Sequence, residues 1–207
     1  DVYEVKFSPD GRLVATGGKE LRVEIYRAGQ DYARLGSCVG HGAPIVHLDW
    51  SEGSDLLRSA DAGRELLTWD VAGAERTVVS LLRGGHLRVD EEWGTHNVPV
   101  TWATKGLATA LPAMSCALSV DLSHDASLLA LGDSFGGVSL HRFPLHHPSP
   151  LPPPHAPAHS ARARRVRFTA DDTRLMSVGG SDAVLAQWRN PLAPPPRLDL
   201  FGPLLLP

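Results

Sequence analysis

The sequence predicts an all-β fold made of four repeated units, each a small stack of antiparallel strands. Three observations predict it. A large residue closing an alternating apolar run is followed at once by Ser or Thr and a turn at four places: Phe7 in VKFSPDG, Trp50 in LDWSEGS, Leu122 in VDLSHDA and Phe168 in VRFTADD. Each of these anchors is followed 19 or 20 residues later by a second large residue, namely Tyr26, Trp69, His141 and Trp188. No stretch sustains the apolar period of a helix, while 17 Pro and 20 Gly supply many turns.

Each unit reads as three strands in order. The first alternates up to the anchor, as Val46, Leu48 and Trp50 do against Ile45, His47 and Asp49. The turns SPDG, SEGSD, SHDAS and TADDT follow, with residues that favour tight reversals. A short second strand opens on an apolar pair and ends in small residues: LVATGG, LLRSAD, LLALGD and LMSVGG. The third strands are LRVEIY, ELLTWD, GVSLHRF and AVLAQW.

Successive anchors lie 43, 72 and 46 residues apart. The first and last spacings match the roughly 40–45-residue period of a WD-repeat propeller blade. The predicted fold class is therefore a partial WD-repeat β-propeller of about four blades, the C-terminal part of a larger propeller. The units fall near residues 1–30, 40–75, 114–143 and 158–189. The middle gap is too short for a further full blade, so 75–113 reads as a fourth strand with an enlarged connection, or else as a degenerate small blade. Residues 144–157, PLHHPSPLPPPHAP, read as a Pro-rich loop, and 190–207 as a Pro-rich tail leaving the fold.

Composition narrows the partners. A formal charge of −3 gives no global attraction to nucleic acid or anionic membrane, and no apolar run is long enough for a spanning helix. Two unclustered cysteines, Cys38 and Cys116, fit a reducing cytoplasmic setting. The start DVYEVKFSPDG has no signal-peptide pattern and no initiating Met, so a piece of a longer protein is expected.

Residues with catalytic potential recur at repeat positions and are better explained by them. In WD repeats a His, a strand Ser or Thr, a turn Asp and the Trp form a structural hydrogen-bond group. The last unit supplies His159, Ser177, Asp182 and Trp188. The second supplies His41 and Trp69, but Gly63 holds the place expected for the turn Asp, six residues before Trp69, so an incomplete group is expected there. His141 holds the Trp place in the third unit. No G-x-S-x-G elbow is present, and GGKE at 17–20 lacks the phosphate-loop pattern, so neither an enzyme nor a nucleotide cofactor is expected. His141, His146, His147, His155 and His159 match no standard zinc spacing, and no metal site is expected. Two segments remain as partner contacts. ARARRVRF carries Arg162, Arg164, Arg165 and Arg167, which read either as a charged strand entrance or as a contact for an acidic surface. Trp93 and Trp102 either cap the core or form an aromatic binding patch.

DVYEVKFSPDG, GHGAPIVHLDWS, ELLTWD, EEWGTHNVPVTW and VGGSDAVLAQW together resemble the C-terminal WD repeats of the echinoderm microtubule-associated protein-like family, over roughly residues 1–189. The resemblance implies tandem propellers, a non-enzymatic role in organising the microtubule cytoskeleton, and tubulin as partner. In that family much of the attachment lies in an N-terminal basic and coiled-coil region that nothing here matches. The alternative is a WD-repeat scaffold that binds other proteins without tubulin.

Overall fold

The computed structural model describes residues 1–71, 80–81, 91–99, 101–107, 117–147 and 155–191. Four antiparallel sheets account for them. The first holds β1 (Val2–Phe7), β2 (Leu13–Gly18), β3 (Arg22–Arg27) and β4 (Ala33–Val39) in chain order. The second holds β5 (Ile45–Trp50), β6 (Leu56–Asp61), β7 (Leu66–Asp70) and β8 (Ser80–Leu81). The third holds β9 (Ala117–Leu122), β10 (Leu128–Asp133), β11 (Gly137–Arg142) and β12 (His155–Pro157). The last holds β13 (Ala163–Phe168), β14 (Arg174–Gly179) and β15 (Leu185–Arg189). These are blades of a β-propeller, and β1–β8 and β9–β15 form two compact units.

The same turn is built four times after the anchors, and the hydroxyl sets it. Ser8 Oγ donates to Asp10 at 2.6 Å and accepts the Leu13 N–H. Ser123 does the same with Asp125 and Leu128, Thr169 with Asp171 and Arg174, and Ser51 with Asp55 and Leu56. Three residues after each hydroxyl the backbone enters the left-handed region, at Gly11, Ser54, Ala126 and Asp172. Only the first unit uses Gly, the residue that adopts this conformation without a Cβ clash. Elsewhere the repeated hydrogen bonds impose it.

Within each unit, neighbouring sheets meet face to face. Val23, Ile25, Leu35 and Cys38 of the first sheet pack with Ile45, Leu48, Trp50, Leu57 and Trp69 of the second. Leu128, Ala130 and Val138 pack with Ala163, Val166, Phe168 and Leu175 in the other unit. Each such buried side chain contributes about 1.5–3 kcal/mol, against about 1 kcal/mol for a typical hydrogen bond. Apolar faces therefore hold the sheets together, and the polar groups select their register. The anchors are not equal: Trp50 is fully buried, but Phe7 is 51 % exposed beside Val5, Tyr3 and Val2 on β1.

Two expectations change. The three-strand reading gives way to four strands in three of the sheets. Ala33–Val39 forms β4 and pairs with β3 as the outer strand of the first sheet. The Pro-rich segment also ends in structure: Ser139, Val138 and Gly137 pair with His155, Ala156 and Pro157. Proline is tolerated there because an edge strand pairs on one side only. In the 75–113 connection, Asp70 and Trp69 pair with Ser80 and Leu81 as a fourth strand. Of the tail, residues 192–207 lie outside the described residues.

Candidate functional site

Two Ser-His-Asp groups stand at equivalent places. In the last sheet His159 Nδ1 lies 3.1 Å from Asp182 Oδ2 and its Nε2 2.9 Å from Ser177 Oγ, which also accepts the Trp188 indole N–H at 2.9 Å. In the second sheet His41 Nδ1 lies 3.2 Å from Asp61 Oδ2 and Nε2 2.6 Å from Ser59 Oγ, which accepts the Trp69 N–H at 2.8 Å. The expected gap at Gly63 does not leave this group open. The Ser-to-Trp separation is 10 residues here and 11 in the last sheet. The turn is one residue shorter, and Asp61, at the end of β6, supplies the carboxylate instead.

The proton order follows from the partners. An ionised Asp only accepts, so Nδ1 carries the proton in each neutral ring and Nε2 accepts from Ser. Burial alone would raise the Asp61 pKa, but the Glu65 N–H and His41 bonds outweigh it and bring it below the ordinary value. This is also the hydrogen-bond order of a hydrolytic triad. Ser59 and Ser177, however, are fully buried, and each oxygen already receives an indole N–H. Both groups act as struts joining strand, turn and the residue before the first strand. Glu65 approaches His41 Nδ1 at 3.9 Å, completing a His-Asp-Glu cluster of metal-binding type.

His159→Ala should therefore cost about 1–3 kcal/mol, because the buried Ser177 hydroxyl loses the acceptor of its proton and Asp182 loses one of its donors. Urea unfolding followed by circular dichroism measures it, and an unchanged midpoint would show that the group holds nothing.

The third sheet replaces this group. Leu131 takes the strand-Ser place, so His141 turns to Ser139 on its own strand, Nε2 2.9 Å from Oγ, and its buried Nδ1 has no hydrogen-bond partner among the described residues. Burial, with the nearby His155, pushes the His141 pKa down to about 4 from 6.5. The unfolded chain thus takes up this proton first as acid is added. The contribution is complete above pH 6.5 and lost as pH falls toward 4, up to about 3 kcal/mol. A pH series of unfolding midpoints should show that loss, and His141→Gln should flatten it over this window.

Sequence reasoning missed a further polar cluster, around Asp49. Asp49 is fully buried, and its carboxylate accepts from Arg58 Nη2 at 3.0 Å and Nε at 3.2 Å, Thr95 Oγ1 at 2.9 Å, and the Asn97 and Val98 N–H groups at 2.6 and 2.9 Å. The Arg58 guanidinium lies 4.0 Å over the Trp93 ring, and Ser51 and Trp93 form a strand bridge. Trp93 therefore covers a buried arginine and is only half-exposed. Trp102 begins a short 3-10 turn, Trp102–Thr104; its side chain lies outside the described residues.

The arginine run divides. Arg162 and Arg164 are exposed, while Arg165 and Arg167 are half-buried. Arg167 Nη1 lies 3.0 Å from Asp121 Oδ1, and Asp121 Oδ2 accepts the Phe168 N–H, so Arg167 ties β13 to β9. Of the five histidines, His159 and His141 are bonded as described, His155 lies near His141 and 3.7 Å from Asp133, His146 is half-buried and His147 is exposed. Among the remaining groups, burial raises the Cys38 thiol pKa to about 12, so it is not a nucleophile.

Comparison with known proteins follows this geometry. A family model described as the echinoderm microtubule-associated protein second beta-propeller matches residues 1–190. The chain is 34% identical over 188 residues to mouse (Mus musculus) echinoderm microtubule-associated protein-like 3, covering 89% of this chain and 20% of that protein. It is 33% identical over 190 residues to the 77 kDa echinoderm microtubule-associated protein of Strongylocentrotus purpuratus, covering 89% and 26%. It is 32% identical over 189 residues to human (Homo sapiens) echinoderm microtubule-associated protein-like 2, covering 89% and 28%. The chain thus spans about a quarter of the length of these relatives.

Proposed function

The chain belongs to the echinoderm microtubule-associated protein family, within its second β-propeller, and from that premise we propose that it is a non-catalytic blade module that contacts tubulin. The match over residues 1–190, with relatives named for microtubule association, carries the reading. The buried struts support the non-catalytic part, because every serine in a triad-like group is inaccessible and doubly engaged. The same reading puts the protein in the cytoplasm, on the cytoskeleton.

Arg162 and Arg164 are the arginines of the run that remain exposed, on and beside β13, and they are the contacts proposed for an acidic tubulin surface. Exposed ion pairs contribute about 0–1 kcal/mol each and weaken with salt. Arg162→Glu with Arg164→Glu should lower co-sedimentation with polymerised tubulin several-fold at low salt, and the difference should shrink as salt rises. Equal recovery of both proteins at every salt concentration would exclude this surface. Trp93→Ala is the contrasting variant: its effect should track lost stability, since Trp93 covers Arg58, and should be nearly independent of salt.

A further inference from the structure

The two Ser-His-Asp groups differ in one neighbour. The Asp61 N–H donates to the Glu65 carbonyl in the second sheet, and the Gly179 N–H donates to the Val184 carbonyl in the last. Glu65 and Val184 therefore hold equivalent places, each just before the third strand of its sheet. The last sheet offers a cation an imidazole and one carboxylate, 3.1 Å apart. The second offers an imidazole and two carboxylates. His41 Nδ1 lies 3.2 Å from Asp61 Oδ2 and 3.9 Å from Glu65 Oε2, and the three donor atoms lie within 4.8 Å of one another.

These separations suit zinc. Bonds of about 2.0–2.1 Å at tetrahedral angles set neighbouring donor atoms about 3.3 Å apart. His41 and Asp61 already stand near that distance, and Glu65 is an exposed side chain free to close the remainder. The two inner donors are held from behind. Asp61 Oδ1 accepts the Glu65 N–H at 2.9 Å, which leaves Oδ2 turned to His41. His41 Nε2 lies 2.6 Å from Ser59 Oγ. Ligating imidazoles and carboxylates carry such partners as a rule, and these fix their orientation. The side chains of His41 and Asp61 are 0% and 2% exposed and that of Glu65 is 51%, so the cluster opens to solvent on the Glu65 side.

We propose that His41 Nδ1, Asp61 Oδ2 and Glu65 Oε2 bind one zinc ion, with water as the fourth ligand, tying the β4–β5 connection to the β6–β7 turn. In the metal-free protein the ring proton sits on Nδ1. On binding it passes to Nε2, which donates to Ser59 Oγ, while Nδ1 gives its lone pair to the metal. The Ser59 hydroxyl proton turns away, and its oxygen accepts from both His41 and the Trp69 indole. The imidazole stays neutral in both states, and the two carboxylates balance the charge of the dication. A ring nitrogen among three donors favours zinc over calcium or magnesium, which take oxygen ligands. The site does not depend on a microtubule contact.

The test uses the intact chain, prepared without an affinity tag and stripped with a chelator. Zinc is added in a calorimetric titration and in urea unfolding. One equivalent of zinc should bind and raise the unfolding midpoint, because the ion binds the folded state; magnesium should do neither. Glu65→Val, which copies the last sheet, should weaken zinc binding about tenfold or more. It should leave the metal-free midpoint near that of the parent, since the Glu65 side chain is exposed. Glu65→His, which keeps a ligand there, should retain binding. Any of three results overturns the proposal: no zinc bound by the folded chain, zinc held by Glu65→Val as tightly as by the parent, or binding lost in His146→Ala with His147→Ala. The last result would place the ion on the Pro-rich loop.

Discussion

Asp49→Ala is expected to lose about 3–5 kcal/mol of stability, the cost of leaving a buried charge without its partner. Arg58 is 5% exposed and lies between Asp49 and the Trp93 ring, so water does not replace the missing carboxylate. Burial already pulls the Arg58 pKa below its ordinary value against the opposing effect of Asp49, and the guanidinium stays charged throughout. The Thr95 hydroxyl and the N–H groups of Asn97 and Val98 lose their acceptor as well. Asp49→Asn should cost less, since one oxygen remains. Asp49→Leu combined with Arg58→Met should recover part of the loss but not all, because the 95–98 backbone donors stay unpaired. Urea unfolding of the variants checks the order. A loss for Asp49→Ala no larger than that of an exposed substitution would show that the cluster is solvated.

Ser59→Ala carries the second largest expected effect, about 2–4 kcal/mol, because one oxygen serves two buried groups. It accepts the Trp69 indole N–H and faces His41 Nε2, and both lose their partner together. Ser177→Ala should cost less, because Trp188 is only partly buried and water can reach its N–H. The comparison separates a buried strut from the same chemistry at a rim.

The repeat was legible because its signals are local. The anchors, the Ser/Thr-to-Asp turn and the apolar pair sit within about ten residues of one another, and the same hydroxyl bonds recur in the structure at Ser8, Ser51, Ser123 and Thr169. The Asp49 cluster was not legible, since its partners lie nine residues away on β6 and 46 to 49 residues away in the Trp93 segment. One trace of such pairing was present in the sequence: the residue before the anchor is Lys6, Asp49, Asp121 and Arg167 in turn. The opposite charges of Asp121 and Arg167 at one repeat position in consecutive units foreshadow the ion pair that ties β9 to β13. Asp61 escaped for a different reason. Counting back six residues from Trp69 looks in the turn, where Asp182 stands, whereas Asp61 comes from the end of β6, only two residues after Ser59.

The Ser-His-Asp groups are expected to hold the blades rather than perform chemistry. This is tested most directly by the urea unfolding midpoint of Ser59→Ala, measured beside labelling of the parent protein with a serine-directed fluorophosphonate. The account predicts a midpoint lowered by about 2–4 kcal/mol in free-energy terms and a parent protein that is not labelled at Ser59. An unchanged midpoint, with parent labelling that Ser59→Ala abolishes, would contradict it.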